Sequence, residues 1–131
     1  MAPSRVSTVE YETIFSYEAL DALIARIQAA PLTALDTETT SLDEMRAEIV
    51  GISFSTEPGK GAYIPVAHRY PGAPEQLDRD AVLAQLRPVM ADAAVAKVGQ
   101  HGKYDLHVLR RHGVDVDGYA HDTMLESFVL N

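Results

Sequence analysis

The sequence contains no cysteine, which excludes disulfides and thiolate-held metals. A chain without thiols suits a reducing compartment, so a cytoplasmic location is expected. No apolar run approaches the roughly 18 residues that a membrane span needs. The opening MAPSRVSTVEYE has no hydrophobic core of the signal-peptide kind, and no membrane association is expected. Basic residues are scarce: 11 Lys and Arg stand against 19 Asp and Glu, a formal charge of −8. That balance argues against a surface that coats nucleic acid through a basic stripe. It does not exclude an enzyme acting on nucleic acid, because a site that gathers divalent cations must itself be rich in carboxylates. There is no internal repeat, low-complexity tract or linker, so the 131 residues, 47% hydrophobic and 23% charged, read as one soluble globular domain.

Periodicity supplies the elements. Leu20, Leu23, Ile24 and Ile27 recur at helical spacing within residues 17–30, with Ser16 as N-cap and Pro31 as the stop. Residues 32–36 read as a short strand. Residues 49–55 alternate, with Val50, Ile52 and Phe54 on one side. Pro58 and Gly59 suit a type II turn into a second hairpin strand, 62–66, where Pro65 implies an edge or a bulge. A helix is predicted over 79–90, with Pro88 kinking it or ending it early. Further elements are a strand at 94–98, a helix at 102–112 closed by Gly113, and a last helix starting near Asp122 or Thr123, where Thr123 and Glu126 have capping-box spacing. This order predicts an α/β fold, a mixed sheet with helices packed on its faces.

Two acids interrupt the apolar run of the first strand. In LDTETTSLDE, Asp36 and Glu38 lie two residues apart. Side chains at that spacing share a face of a strand, with Cα atoms about 7 Å apart. Like charges so close repel unless a cation compensates, and hard ions such as Mg²⁺ or Mn²⁺ take oxygen ligands of this type. Alternatively the stretch is a polar turn into a capped helix, because Thr40 with Asp43, or Ser41 with Glu44, has capping spacing. In KVGQHGKYDLHVLRRHG, Asp105 shares a helix face with Val108 and Leu109. It is either an edge residue paired with Lys103 or a following Arg, or an acid held by a metal. His107 and His112 are about 140° apart around the helix. They do not converge as a zinc pair, and a solvated surface is expected for both. Lys103, Arg110 and Arg111 fit phosphate contacts or a solvated face equally well.

Taken together, DTETTSLD, then KVGQHGKYD about 65 residues later, then HDTMLESFVLN, closely resemble the proofreading 3′→5′ exonuclease domain of bacterial family A DNA polymerases. The resemblance covers nearly the whole chain. It implies a ribonuclease H-like fold and a phosphodiesterase using two divalent ions, Mg²⁺ or Mn²⁺. By position, Asp36 would bridge both ions, Glu38 would hold the ion that activates water, and Asp105 would hold the ion beside the leaving 3′-oxygen. Leu42 would wedge against the terminal bases, and Gln100, His101 and Tyr104 would contact the single-stranded DNA 3′ end. His101 stands where the family usually carries Asn.

The family's Tyr-x-x-x-Asp motif is expected beyond residue 131. Residues 1–131 therefore read as the N-terminal part of an exonuclease domain, a fold incomplete at its C-terminus. A polymerase domain is expected to follow in the parent protein. The isolated piece is expected to be impaired and to self-associate through apolar surface left open. The rival readings are a catalytically inactive exonuclease-like module, structural or strand-binding, beside a polymerase, and an interaction domain that shares only the fold.

Overall fold

In the computed structural model, residues 10–40, 45–67, 72–99 and 102–120 are described. Their elements run β1 (Glu10–Thr13), α1 (Tyr17–Ala29), β2 (Thr33–Thr39), β3 (Ile49–Glu57), β4 (Lys60–Pro65), α2 (Arg79–Ala91), β5 (Lys97–Gly99), α3 (Gly102–Arg111) and β6 (Tyr119–Ala120). The strands form one mixed sheet in the order β1-β4-β3-β2-β5-β6. β2, β3 and β4 are antiparallel neighbours, whereas β1 joins β4 and β5 joins β2 in parallel. The predicted α/β architecture is the one observed. The last predicted helix, near Asp122 and Thr123, lies outside the described residues.

Local chemistry explains most of these elements. Ser16 caps α1, its hydroxyl accepting the Ala19 N–H at 3.1 Å, and Leu20, Leu23 and Ile27 are buried. Gly59 takes φ +83° in the β3–β4 turn, the third-position conformation of a type II turn. Leu35 of β2, Ile52 and Phe54 of β3, and Ala62 and Ile64 of β4 join the buried residues of α1, α2 and α3 in one core. The core therefore fills one face of the central strands.

Several expectations need correction. Pro88 does not end α2, which continues to Ala91. Val89 and Met90 are 2% and 1% exposed, and their burial holds the last turn despite the lost backbone bond. Pro65 is not on an edge strand, because β4 lies between β1 and β3. It is tolerated because the β1 ladder ends at Tyr63, so the absent N–H falls past the last pair. Residues 94–96 are a turn rather than strand, with the Ala94 N–H on Asp92 Oδ1 at 2.9 Å. Strands β1 and β6, four and two residues long, are too short for alternation to reveal.

Two side chains lock the frame around the site. Lys97 is fully buried, and its ammonium donates to the carbonyls of Met90 (3.0 Å), Asp92 (2.7 Å) and Asp117 (2.8 Å). Burial lowers its pKa, with Asp92 and Asp117 pulling the other way. His112 is not a solvated surface residue: its side chain is 9% exposed. Nε2 accepts the Ile49 N–H at 3.5 Å, so Nδ1 carries the proton and donates to Val108 O at 2.9 Å.

Candidate active site

The acid-bearing strand β2 shows why two like charges are tolerated there. Asp36 lies opposite Ser53 and Glu38 opposite Gly51 on β3. Alternation puts these residues on the sheet face opposite Leu35, Ile52 and Phe54. None of the four belongs to the hydrophobic core. Asp36 is half-buried and Glu38 exposed, so solvent reaches this surface and the strand buries its other side.

Asp105 arrives from a different element. The parallel pairing of β2 with β5 ends at Leu35 and Gly99, and α3 begins three residues later. The Asp105 carboxylate takes over the edge of β2 just past that last pair. Its Oδ1 accepts the Thr37 N–H at 3.2 Å and the Thr37 hydroxyl at 2.6 Å. Asp105 is 0% exposed, and a buried carboxylate is costly unless such bonds offset the lost hydration. Its hydrogen-bond donor is thus Thr37, the residue between Asp36 and Glu38, rather than Lys103 or a following Arg.

Two tyrosines frame the acids, each lying over a glycine. Tyr63 of β4 crosses Gly51 and donates its phenol to Glu38 Oε1. A Cβ on Gly51 would sit 1.9 Å from that phenol oxygen, so only glycine admits the ring. Tyr119 of β6 lies over Gly99 in the same manner, with 2.4 Å from its oxygen to a Cβ built there. The Tyr119 pKa is pushed up to about 12, first by burial and then by the negative charges of Asp105 and Asp36. One phenol therefore senses both aspartates. Tyr104 packs against the core, and its hydroxyl meets Thr39 Oγ1.

Sequence reasoning singles out the acids and Tyr104 but not Thr37, Tyr63 or Tyr119. The available signal was Gly51 and Gly99 inside strands, because a strand glycine marks close approach by another group. Leu42, Gln100 and His101 lie outside the described residues. Arg111 Nη1 donates to Ala47 O at 2.7 Å, and Arg110 faces Asp115 at 3.7 Å in solvent. Lys103 is exposed on the first turn of α3.

The donor chemistry of Asp36, Glu38 and Asp105 suits hard divalent ions: all are carboxylate oxygens. Among the described residues, however, no three His, Asp or Glu side chains form a group that could hold an ion. Asp36 and Asp105 both act on the Tyr119 phenol, while Glu38 is drawn to Tyr63.

Comparisons with known proteins identify the relatives of this chain. The family described as 3′-5′ exonuclease matches residues 11–131. The chain is 48% identical over 125 residues to DNA polymerase I of Pseudomonas aeruginosa, covering 94% of this chain and 14% of that protein. It is 37% identical over 131 residues to DNA polymerase I of a Synechocystis strain, covering 98% of this chain and 13% of that protein. Among solved structures it is similar to Trypanosoma brucei RNase D in complex with RNA U12, with a TM-score of 0.67 and 19% identity over 91% of this chain and 40% of the other. Escherichia coli RNase D gives a TM-score of 0.60 and 23% identity over 83% of this chain and 26% of the other. These likenesses establish the ribonuclease H-like fold. With the family matching nearly its whole length and polymerase relatives aligned across it, the chain belongs to the 3′-5′ exonuclease family that occurs within DNA polymerase I.

Proposed function

We propose that this chain forms the N-terminal part of a domain that removes nucleotides from the 3′ end of single-stranded or frayed DNA, within a longer protein that also carries a polymerase domain. Asp36, Glu38 and Asp105 are the residues that would hold two divalent ions, Mg²⁺ or Mn²⁺. Such ions, when bound, lower the pKa of water and offset charge on the reacting phosphate. The observation that carries the reading is the Asp105–Thr37 pair, which anchors a third acid on the strand of the first two.

The protein's own groups have distinct tasks in this reading. Thr37 fixes the Asp105 carboxylate through two bonds to one oxygen, so that it need not reorganise when substrate arrives. Tyr104, held by Thr39 at its hydroxyl, offers the remaining ring surface to the terminal sugar or base. Leu42, Gln100 and His101 complete the strand contact. Metal uptake by this chain alone is proposed to be weak and its hydrolysis slow.

The test is degradation of a 5′-labelled single-stranded oligonucleotide in Mn²⁺. A slow 3′→5′ ladder that vanishes in Asp36→Ala supports the reading. Cleavage that survives in Asp36→Ala, or that starts at the 5′ end, removes it. Self-association belongs to the same proposal: Tyr11, Phe15 and Tyr17 are 79%, 46% and 40% exposed. A single monomer at every concentration in sedimentation would remove that part.

A further inference from the structure

The contact between Tyr63 and Glu38 has no part in the reading above, although three strands cooperate to make it. Tyr63 lies on β4, Gly51 on β3 and Glu38 on β2. Gly51 pairs with Glu38 on one side and with Pro65 on the other. The Tyr63 ring must therefore pass across β3 to reach the carboxylate, and a Cβ on Gly51 would meet Oη, Cζ and Cε1 at 1.9, 2.3 and 2.6 Å. The sequence leaves a gap in the middle strand, and the ring occupies it.

Glu38 is the acid that needs such help. It is exposed, and a glutamate in solvent samples many rotamers. Asp105, by contrast, is buried and bonded to Thr37, and the shorter Asp36 has fewer torsions to fix. We infer that Tyr63 is a positioning residue for Glu38: across Gly51, its phenol selects one arrangement of that carboxylate. This rests on the proposed metal-dependent function for its consequence, though not for its geometry. A phenol bonded to Oε1 restricts the side chain while Oε2 can still turn toward a cation. Positioning contacts of this kind around metal-holding groups typically change affinity by about 10- to 100-fold.

Tyr63→Phe keeps the ring over Gly51 and removes only the donor, so the fold is retained. The experiment begins without added metal, by NMR of protein carrying ¹³C-labelled glutamate. The three-bond couplings of Glu38 are expected to report one dominant rotamer in the parent protein and an averaged set in Tyr63→Phe. Averaged couplings already present in the parent, or unchanged couplings in the variant, overturn the inference whatever the protein does with metal.

Mn²⁺ titration by electron paramagnetic resonance follows. Tyr63→Phe is expected to weaken uptake about tenfold in the parent background and not at all in Glu38→Ala, because the effect on uptake is routed through Glu38. An equal loss in both backgrounds overturns the inference by assigning Tyr63 a general structural role. If the parent takes up no Mn²⁺ while Glu38 is still fixed by Tyr63, the metal-dependent reading fails and the positioning contact stands.

Discussion

Asp105 Oδ1 accepts both the backbone N–H and the hydroxyl of Thr37, a residue 68 positions earlier in the chain. This pair joins α3 to β2 at the point where β5 stops. Thr37→Val keeps the branched shape and removes the hydroxyl. It is expected to destabilise the fold by about 1–3 kcal/mol, the cost of leaving a buried carboxylate short of a donor. Urea denaturation measures it, and a loss below about 0.5 kcal/mol would show that Asp105 is satisfied without Thr37.

Gly99 gives a steric prediction with a built-in rescue. A Cβ there meets Tyr119 Oη at 2.4 Å, the Leu35 carbonyl oxygen at 3.2 Å and Tyr119 Cζ at 3.3 Å. Gly99→Ala is expected to cost about 1–3 kcal/mol through overpacking. Tyr119→Phe removes the nearest atom and should recover part of that loss in the double variant. Additive losses in thermal unfolding would place the strain elsewhere.

Alkaline titration follows from the same phenol. The Tyr119 pKa is about 12 in the fold against an ordinary value of 10.0. Between those values the unfolded chain has lost a proton that the folded one keeps. Tyr119 thus contributes stability below pH 10 that is lost as pH rises toward 12. Absorbance at 295 nm should show a late-titrating step that Tyr119→Phe removes. An alkaline titration unchanged by Tyr119→Phe would contradict the burial of this phenol.

Lys97 titrates in the opposite sense. Its pKa lies below the ordinary 10.5, so its contribution is largest above 10.5 and falls as pH drops through the lowered value. Its three carbonyl partners nonetheless need a donor at neutral pH. Lys97→Met is expected to destabilise by about 2–4 kcal/mol at pH 7, with a smaller gap between variant and parent at neutral than at alkaline pH. A neutral effect on denaturation would contradict the bonding described.

Much of this architecture is legible in the residues. Helical spacing marks α1, Pro58 and Gly59 mark the hairpin, and the spacing of Asp36 and Glu38 marks the acid-bearing face of β2. What escapes is chemistry that depends on pairing between distant strands. Lys97 reads as an ordinary charged residue until β5 is seen pressed between β2 and β6. Tyr63 reads as a strand aromatic and Tyr119 is not singled out at all, because only the structure shows the glycine beside each. His112 reads as solvated because helical spacing cannot anticipate that residues 47–49 cover it, with Arg79 and Arg111 donating to Ile49 O and Ala47 O.

In the proposed function Asp36 and Asp105 serve one cation site. Isothermal titration with Mn²⁺ tests it through three proteins: the parent, Asp36→Asn and Asp105→Asn. Weak uptake by the parent is expected, lost in each variant while both stay folded by circular dichroism. Uptake unchanged in Asp105→Asn would separate the two acids and contradict the site.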